Sequence, residues 1–302
     1  MQRIRPDVRQ LAFAAATLVS LSTALRAQGR TEVTINDTGV QPENVTSGAD
    51  GTLYFGSMMK GTIYRAAPGA SQAEPWILAS SVGLSNVLGV LADEKSNTLW
   101  VCQNSTGGRG GTPVAGQTAL RSFDLKTGAA KGAYNFPTNG GVCNDIAVAP
   151  NGTVYATESF ANRVHRLHPG ATALEVWAGD AQLGAIDGIA LLADGAVYVN
   201  TFSSGRLFRI PVNADGSAGA LMPIETSIPL TRPDGLRAVG PMTLIQAEQG
   251  GRLTELTISG SRAEVRVIQE GLPRAAGVTI VGENALVLVD FARAVVVKYR
   301  PR

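Results

Sequence analysis

Residues 143–167 read CNDIAVAPNGTVYATESFANRVHRL, and this stretch sets out the structural unit of the whole chain. A short apolar strand is followed by a Pro-Asn-Gly turn at residues 150–152, and residues 154–157 run back as a second strand. A third strand opens at Asn162, and residues 174–177 supply a fourth. Short β-branched and aromatic segments separated by such turns are typical of antiparallel hairpins.

This strand-and-turn repeat occurs six times, and the first residue of each repeat is usually polar. The separations between the openings are 43, 58, 43, 47 and 43 residues. A period of about 40–50 residues with several short strands in each unit is typical of a β-propeller. The sequence therefore predicts an all-β protein, a six-bladed β-propeller. The repeats open at Glu43, Asn86, Asn144, Asp187, Asp234 and Gly277.

The last repeat has only three strands before the chain ends at Arg302. An incomplete blade would leave an unpaired edge and an open ring. Glu32–Asn36 (EVTIN) precedes the first repeat and has the pattern of a lone strand. We expect this N-terminal strand to complete the sixth blade and close the propeller.

One repeat is longer than the others. Residues 105–117 (STGGRGGTPVAGQ) lie between the second and third strands of repeat two. Glycine-rich segments of this length are typical of mobile loops. The strand direction places this loop on the face where the repeats open, where a long loop is often a lid.

The N-terminus has the pattern of an export signal. Three arginines precede an uncharged, largely apolar segment from Leu11 to Leu25, and Ala27 is a small residue suited to cleavage. The apolar segment is too short to span a bilayer. We expect residues 1–27 to be a signal peptide, residues 28–302 to form the propeller domain, and the protein to be periplasmic or secreted.

The apparent basicity of the chain belongs to this signal. The formal charge of the full chain is +2, and without residues 1–27 it is −1. Nucleic-acid and anionic-membrane surfaces depend on clustered basic residues, so neither partner is expected. The sequence does not indicate an oligomeric state.

Two cysteines, Cys102 and Cys143, remain after export. They lie in neighbouring repeats and on the same predicted face. An oxidising compartment permits a disulfide between them, and two buried thiols are the alternative.

The repeat openings form the main candidate site. In a six-bladed ring, the starts of the inner strands converge on the axis, so these oxygen-bearing side chains crowd one channel mouth. Carboxylates that meet there repel one another unless they are protonated or bind a cation. Carboxylate and amide oxygens suit calcium, with magnesium or manganese as alternatives, and the lack of cysteine or histidine argues against zinc. The cation ligands expected are Glu43, Asn144, Asp187 and Asp234, with Asn86 beside them.

A structural explanation of the same residues stays open. Asp-Gly and Asn-Asp pairs form hydrogen-bonded turns at strand entrances without any ligand. Other side chains are weaker candidates: His165 and His168 lie along an outer-leaning strand and are expected at the surface or an edge. No serine has the Gly-x-Ser-x-Gly setting of a serine hydrolase.

The segments NDIAVAPNGTVYATES (144–159), PDGL (233–236) and PENVTSGADGTLYFGS (42–57) resemble the family of senescence-marker protein 30, gluconolactonase and luciferin-regenerating enzyme. The resemblance spans roughly residues 32–302 and rests on the order and spacing of these segments. It implies a six-bladed propeller with one catalytic divalent ion, and many family members hydrolyse sugar lactones.

Carried over residue by residue, the resemblance implies that Glu43 and Asp234 bind the ion and that Asn144 contacts substrate or ion. Asp187 stands where the family usually has asparagine. Asn44-Val45 follows Glu43, where well-studied lactonases commonly have Gly-Pro.

These observations predict a metal-dependent hydrolase of a lactone or related ester. The ion would polarise the carbonyl group, and Asp234 or Asp187 would activate water. Asn86 and Asn144 are expected to bind the substrate. The alternative is a non-catalytic propeller that binds a ligand or a protein on the same face.

Overall fold

Short antiparallel strands between glycine-rich turns account for almost all of the regular structure. The computed structural model describes residues 31–105, 118–137 and 141–300. The predicted signal peptide and residues 106–117 of the predicted lid lie outside the described residues.

The described strands follow one another in antiparallel runs, and each run is numbered after its repeat. Strand β1 is Glu32–Ile35. Run one comprises β2 (Val45–Ser47), β3 (Leu53–Phe55), β4 (Ile63–Ala66) and β5 (Gln72–Ile77). Run two comprises β6 (Val87–Asp93), β7 (Thr98–Gln103), β8 (Ala119–Asp124) and β9 (Ala130–Asn135). Run three comprises β10 (Cys143–Val148), β11 (Val154–Glu158), β12 (Arg163–Leu167) and β13 (Glu175–Gly179).

The second half of the chain repeats this order. Run four comprises β14 (Ile186–Leu191), β15 (Val197–Thr201), β16 (Arg206–Ile210) and β17 (Met222–Thr226). Run five comprises β18 (Pro233–Gly240), β19 (Thr243–Glu248), β20 (Arg252–Ser259) and β21 (Arg262–Glu270). Run six comprises β22 (Val278–Val281), β23 (Asn284–Val289) and β24 (Arg293–Lys298) together with β1.

Hydrogen bonding joins the described strands into four sheets rather than six separate ones. Runs two and three are four-stranded sheets, and the other runs merge in pairs into two eight-stranded sheets. Each merger is a short parallel pairing of outer strands, β1 with β5 and β17 with β21. The difference from the predicted separate blades arises because these outer strands approach closely enough to exchange backbone hydrogen bonds, such as Thr34 N–H to Ser71 C=O at 2.9 Å.

The N-terminal strand occupies the place that the sequence predicts. Strand β1 pairs antiparallel with β24, with Glu32 opposite Val295 and Thr34 opposite Arg293. Val33 is fully buried in a core cluster that also contains Leu288 and Ala294. The first and last described strands are therefore joined by a hydrogen-bond ladder and by a shared apolar core.

Helical structure is minor in the described residues. A four-residue α-helix, α1 (Ala79–Val82), leads into run two, and a 3₁₀ turn at Ala181–Leu183 leads into run four. Asp180 caps the 3₁₀ turn by accepting the Gln182 N–H. In the described part of the chain, no helix is long and apolar enough to cross a bilayer.

The first strands of neighbouring runs approach one another at glycines. A Cβ on Gly89 would lie 2.2 Å from the Asn144 carbonyl oxygen, and a Cβ on Gly188 would lie 2.4 Å from that of Asp234. No side chain fits at those distances, so glycine permits the approach. This packing brings β6 against the start of β10 and β14 against the start of β18.

Cys102 and Cys143 form a disulfide. Cys102 lies in β7 and Cys143 opens β10, so the bond joins the second strand of run two to the first strand of run three. Both cysteines are fully buried. Of the two states that the sequence permits, the structure has the disulfide.

Candidate metal centre

Three of the four predicted ligands lie together at the starts of first strands. Glu43 precedes β2, Asp187 is the second residue of β14, and Asp234 is the second residue of β18. One carboxylate oxygen from each lies within 4.8 Å of the other two. The side chains are 3–8% exposed. Three runs of the chain thus contribute one buried carboxylate cluster.

The two asparagines of the predicted site present oxygens without hydrogen-bond donors. Asn144 donates from Nδ2 to Ser159 Oγ at 2.9 Å, which leaves its Oδ1 for another partner. No donor among the described residues reaches the buried atoms Asn144 Oδ1, Asn86 Oδ1 or Glu43 Oε2. A buried acceptor without a donor is costly, and a cation or a bound polar ligand satisfies it.

A recurrent backbone clamp positions the three carboxylates. The residue two places before each ligand has a positive φ, 49° at Gln41, 54° at Ala185 and 56° at Arg232. In each of these runs, a residue of the turn after the second strand donates its N–H to the carbonyl of the positive-φ residue. The bonds are Met58 to Gln41 at 3.1 Å, Phe202 to Ala185 at 2.9 Å and Gln249 to Arg232 at 2.9 Å. Non-glycine residues with positive φ are uncommon and cluster at functional sites.

Burial and mutual repulsion dominate the electrostatics of the cluster. Burial raises the pKa of the Glu43 carboxyl well above its usual range, and the charge of Asp234 raises it further. The pKa of Asp187 is raised by burial, then by Asp234 and Glu43. Burial raises the pKa of Asp234 to about 7, against the opposing hydrogen bond from Gln249. All three groups are ionised together at neutral pH only when positive charge joins them.

A second polar network lies next to the cluster in the sequence. Asp145 accepts hydrogen bonds from Asn44 Nδ2 at 3.0 Å and from Arg237 Nη1 at 2.7 Å. Arg237 also donates from Nη2 to Asn44 Oδ1 at 2.9 Å. The charge of Asp145 raises the pKa of Glu43, and the charge of Arg237 lowers it. The network therefore connects runs one, three and five close to the site residues Glu43, Asn144 and Asp234.

Sequence reasoning missed this network and the role of Gln249. Asn44 and Asp145 directly follow predicted site residues, and neither of them was given a role from the sequence. Gln249 donates from Nε2 to Asp234 Oδ2 at 2.7 Å and so fixes one oxygen of a predicted ligand. The sequence signal that could have pointed to Gln249 is that a polar residue follows the second strand in several repeats.

The expectation for His165 is wrong, because that side chain is fully buried. Its Nε2 lies 2.6 Å from Glu158 Oε2, and its ring centroid lies 4.3 Å from that of Phe136. Strand β12 lies between β11 and β13, and the Glu158 carboxylate supplies the partner that makes burial possible. His168 is about half exposed, in agreement with the expectation.

Comparison with known proteins supports the fold rather than an activity. No protein-family model matches the chain, and no curated protein matches it. Similar solved structures include a gluconolactonase from Xanthomonas campestris, with 16% identity, 91% of this chain and 92% of that chain covered, and a TM-score of 0.64. A luciferin-regenerating enzyme has 15% identity, 87% and 94% coverage, and a TM-score of 0.62. A catalytically inactive virginiamycin B lyase from Staphylococcus aureus, solved with quinupristin, has 16% identity, 88% and 83% coverage, and a TM-score of 0.64.

Gluconolactonase and luciferin-regenerating enzyme belong to the family that segments of this sequence resemble. Structures with the fold of this chain therefore include members of that family, at low sequence identity. A lyase has the same fold, so the fold does not select the reaction.

Proposed function

We propose that this protein is a six-bladed β-propeller hydrolase that acts with one divalent cation on a lactone or a related ester. The observation that carries the proposal is the cluster of Glu43, Asp187 and Asp234, whose ligand atoms lie within 4.8 Å of one another in a buried position. Three buried carboxylates without a cation would be destabilising, and turn formation alone does not require them to meet.

The repeats and the strand order support the propeller. Each repeat corresponds to one antiparallel run of four strands, and β1 supplies the fourth strand of run six. The parallel contacts between outer strands join neighbouring runs without changing the order within them. The repeat openings then surround one end of a central channel.

The donor set favours calcium. The cluster offers carboxylate oxygens from Glu43, Asp187 and Asp234, and Asn144 adds an amide oxygen that lacks a donor. Calcium accepts six to eight oxygen ligands in flexible geometry, and water or substrate would complete the set. Magnesium and manganese are the alternatives. Neither histidine nor cysteine belongs to the cluster, which disfavours zinc.

The protein side chains divide the work in the proposed reaction. Glu43, Asp187 and Asp234 would hold the cation, which would supply Lewis-acid stabilisation of negative charge on the substrate carbonyl oxygen. Asp234 or Asp187 takes a proton from the attacking water. Gln249 donates to Asp234 Oδ2 and so fixes the orientation of that carboxylate. Asn86 and Asn144, whose buried Oδ1 atoms have no donor among the described residues, would bind the substrate.

The setting of the enzyme follows from the N-terminal sequence. We propose that residues 1–27 direct export and that the mature protein acts in the periplasm or outside the cell. Its partner is a small-molecule lactone or ester rather than a nucleic acid or a membrane.

A lactone panel with and without chelator tests the proposal. Purified protein with calcium should hydrolyse at least one lactone, chelator should abolish the activity, and Glu43→Gln should be inactive with or without added calcium. Asp187→Asn places the family residue at the position and should retain turnover if Asp234 is the base. Calcium binding without turnover across sugar, aliphatic and aromatic lactones would instead favour the non-catalytic binding propeller.

A further inference from the structure

Arg232 is placed one side chain away from the carboxylate cluster. Its Nη2 donates to Gln249 Oε1 at 3.2 Å, and Gln249 donates in turn to Asp234 Oδ2 at 2.7 Å. The guanidinium carbon lies 4.7 Å from the ring centroid of Phe202. Gln249 and Phe202 are both first residues after a second strand, in runs five and four. The arginine is thus oriented from two sides at the edge of the site.

No carboxylate among the described residues neutralises the positive charge of Arg232. The side chain is exposed, and across residues 31–105, 118–137 and 141–300 it forms no ion pair. Other arginines show the contrast, since Arg237, Arg252 and Arg266 each pair with a buried carboxylate. A guanidinium has five N–H donors, and its planar fork matches a carboxylate or a phosphate.

Charge balance explains why a guanidinium is useful at this position. One divalent cation among three carboxylates leaves a net charge of −1. That charge would repel an anionic substrate from the reacting centre at close range. A guanidinium beside Asp234 offsets the repulsion and supplies charge-assisted hydrogen bonds to the substrate.

We propose that the substrate carries an anionic group, a carboxylate or a phosphate, which Arg232 binds while the reacting carbonyl lies at the carboxylate cluster. This inference rests on the proposed function of the same site. Phe202 packs against the face of the guanidinium and holds its fork toward the substrate. Arg232 is then the residue that selects anionic lactones over neutral ones.

Run six provides a matched control. Arg274 has a φ of 50°, is exposed, and stacks on Phe291 with 4.5 Å between the guanidinium carbon and the ring centroid. Asp234 lies two residues after Arg232, whereas Ala276 lies two residues after Arg274, so run six has no carboxylate at the equivalent position. Arg274→Gln therefore removes an exposed arginine that is stacked on an aromatic ring in the same way but that the proposal does not use.

The test compares a neutral and an anionic lactone of matched size, glucono-δ-lactone and glucaro-δ-lactone, with calcium present. Wild-type protein should prefer the anionic lactone by about ten-fold or more in kcat/KM, the scale of one charge-assisted hydrogen bond. Arg232→Gln should reduce the ratio to about one, and Arg232→Lys should retain part of it. Arg274→Gln should leave the preference unchanged. The wild-type preference should also weaken between low and high salt.

Binding of the hydrolysis products separates this inference from the proposed function. Calorimetry with glucarate and gluconate, in calcium, should show tighter glucarate binding that Arg232→Gln abolishes. If neither lactone is hydrolysed but this binding is found, the hydrolase proposal fails and the anion site stands. If the wild type hydrolyses both lactones equally, or Arg232→Gln keeps the preference, or Arg274→Gln loses it equally, the anion site is refuted while the hydrolase stands.

Discussion

The metal-free protein should lose stability as the pH rises from 5 to 8. The pKa of Asp234 is raised to about 7 in the folded chain, against 3.8 for the ordinary side chain. The folded state therefore binds more protons than the unfolded state within this window, and stability falls with increasing pH. The stabilisation is fully present below the unfolded pKa and is lost as the pH rises through about 7.

The size of the effect follows from the two pKa values. Between pH 5 and pH 8, Asp234 alone should remove roughly 2–3 kcal/mol of unfolding free energy. Glu43 and Asp187 have raised pKa values as well, so they act in the same direction. For a domain of this size, the change corresponds to roughly 5–10 °C in Tm. Asp37, with a pKa lowered to about 2 by its hydrogen bonds to Lys60 and Tyr64, titrates below this window.

Urea unfolding in chelator, followed by circular dichroism at several pH values, measures this directly. Asp234→Asn removes one titrating group and its repulsion of Glu43 and Asp187, so the loss of stability between pH 5 and pH 8 should become smaller. Calcium at about 100 times its dissociation constant should add about 2.7 kcal/mol and be most effective at high pH, where the carboxylates are ionised. A metal-free protein that gains stability from pH 5 to pH 8 would refute the electrostatic reasoning.

Three further predictions concern the scaffold. Deleting residues 28–38 removes β1 and should lower the Tm of the whole domain, and an unchanged cooperative melt would contradict closure by that strand. Intact-mass analysis should find no free thiol before reduction, and two free thiols would contradict the disulfide. The double variant Cys102→Ser/Cys143→Ser should lose about 4 kcal/mol of unfolding free energy in urea, because the bond closes a loop across a separation of 41 residues. Asp145→Asn should lose about 3–5 kcal/mol because it leaves Arg237 without its charge partner, whereas a loss below about 1 kcal/mol would show that the network is not structural.

The repeat pattern predicts most of the strands and the meeting of the site residues. Period and turn chemistry are local, and the openings of equivalent strands meet wherever such strands surround one axis. For that reason Glu43, Asp187 and Asp234 could be named before the structure, although they are far apart in sequence. The pairing of Glu32–Ile35 with the last strand follows from the missing fourth strand.

Features that depend on contacts between runs could not be predicted in this way. The parallel pairing of β1 with β5 depends on the distance between outer strands, which no local pattern encodes. The hydrogen bonds of Asp145 with Asn44 and Arg237 join three distant segments. His165 is buried because Glu158 from the neighbouring strand accepts its hydrogen bond, and strand alternation alone does not reveal such a partner.

Calorimetric titration of the metal-free protein with calcium tests the central claim most directly, because the claim is that three runs share one cation. The predicted result is one calcium ion per chain at neutral pH, with proton release on binding. Glu43→Gln and Asp234→Asn should each weaken binding by about ten-fold or more, and Asp187→Asn should weaken it less. If the wild type binds no divalent cation, or if all three substitutions leave the affinity unchanged, the carboxylate cluster is not a metal centre.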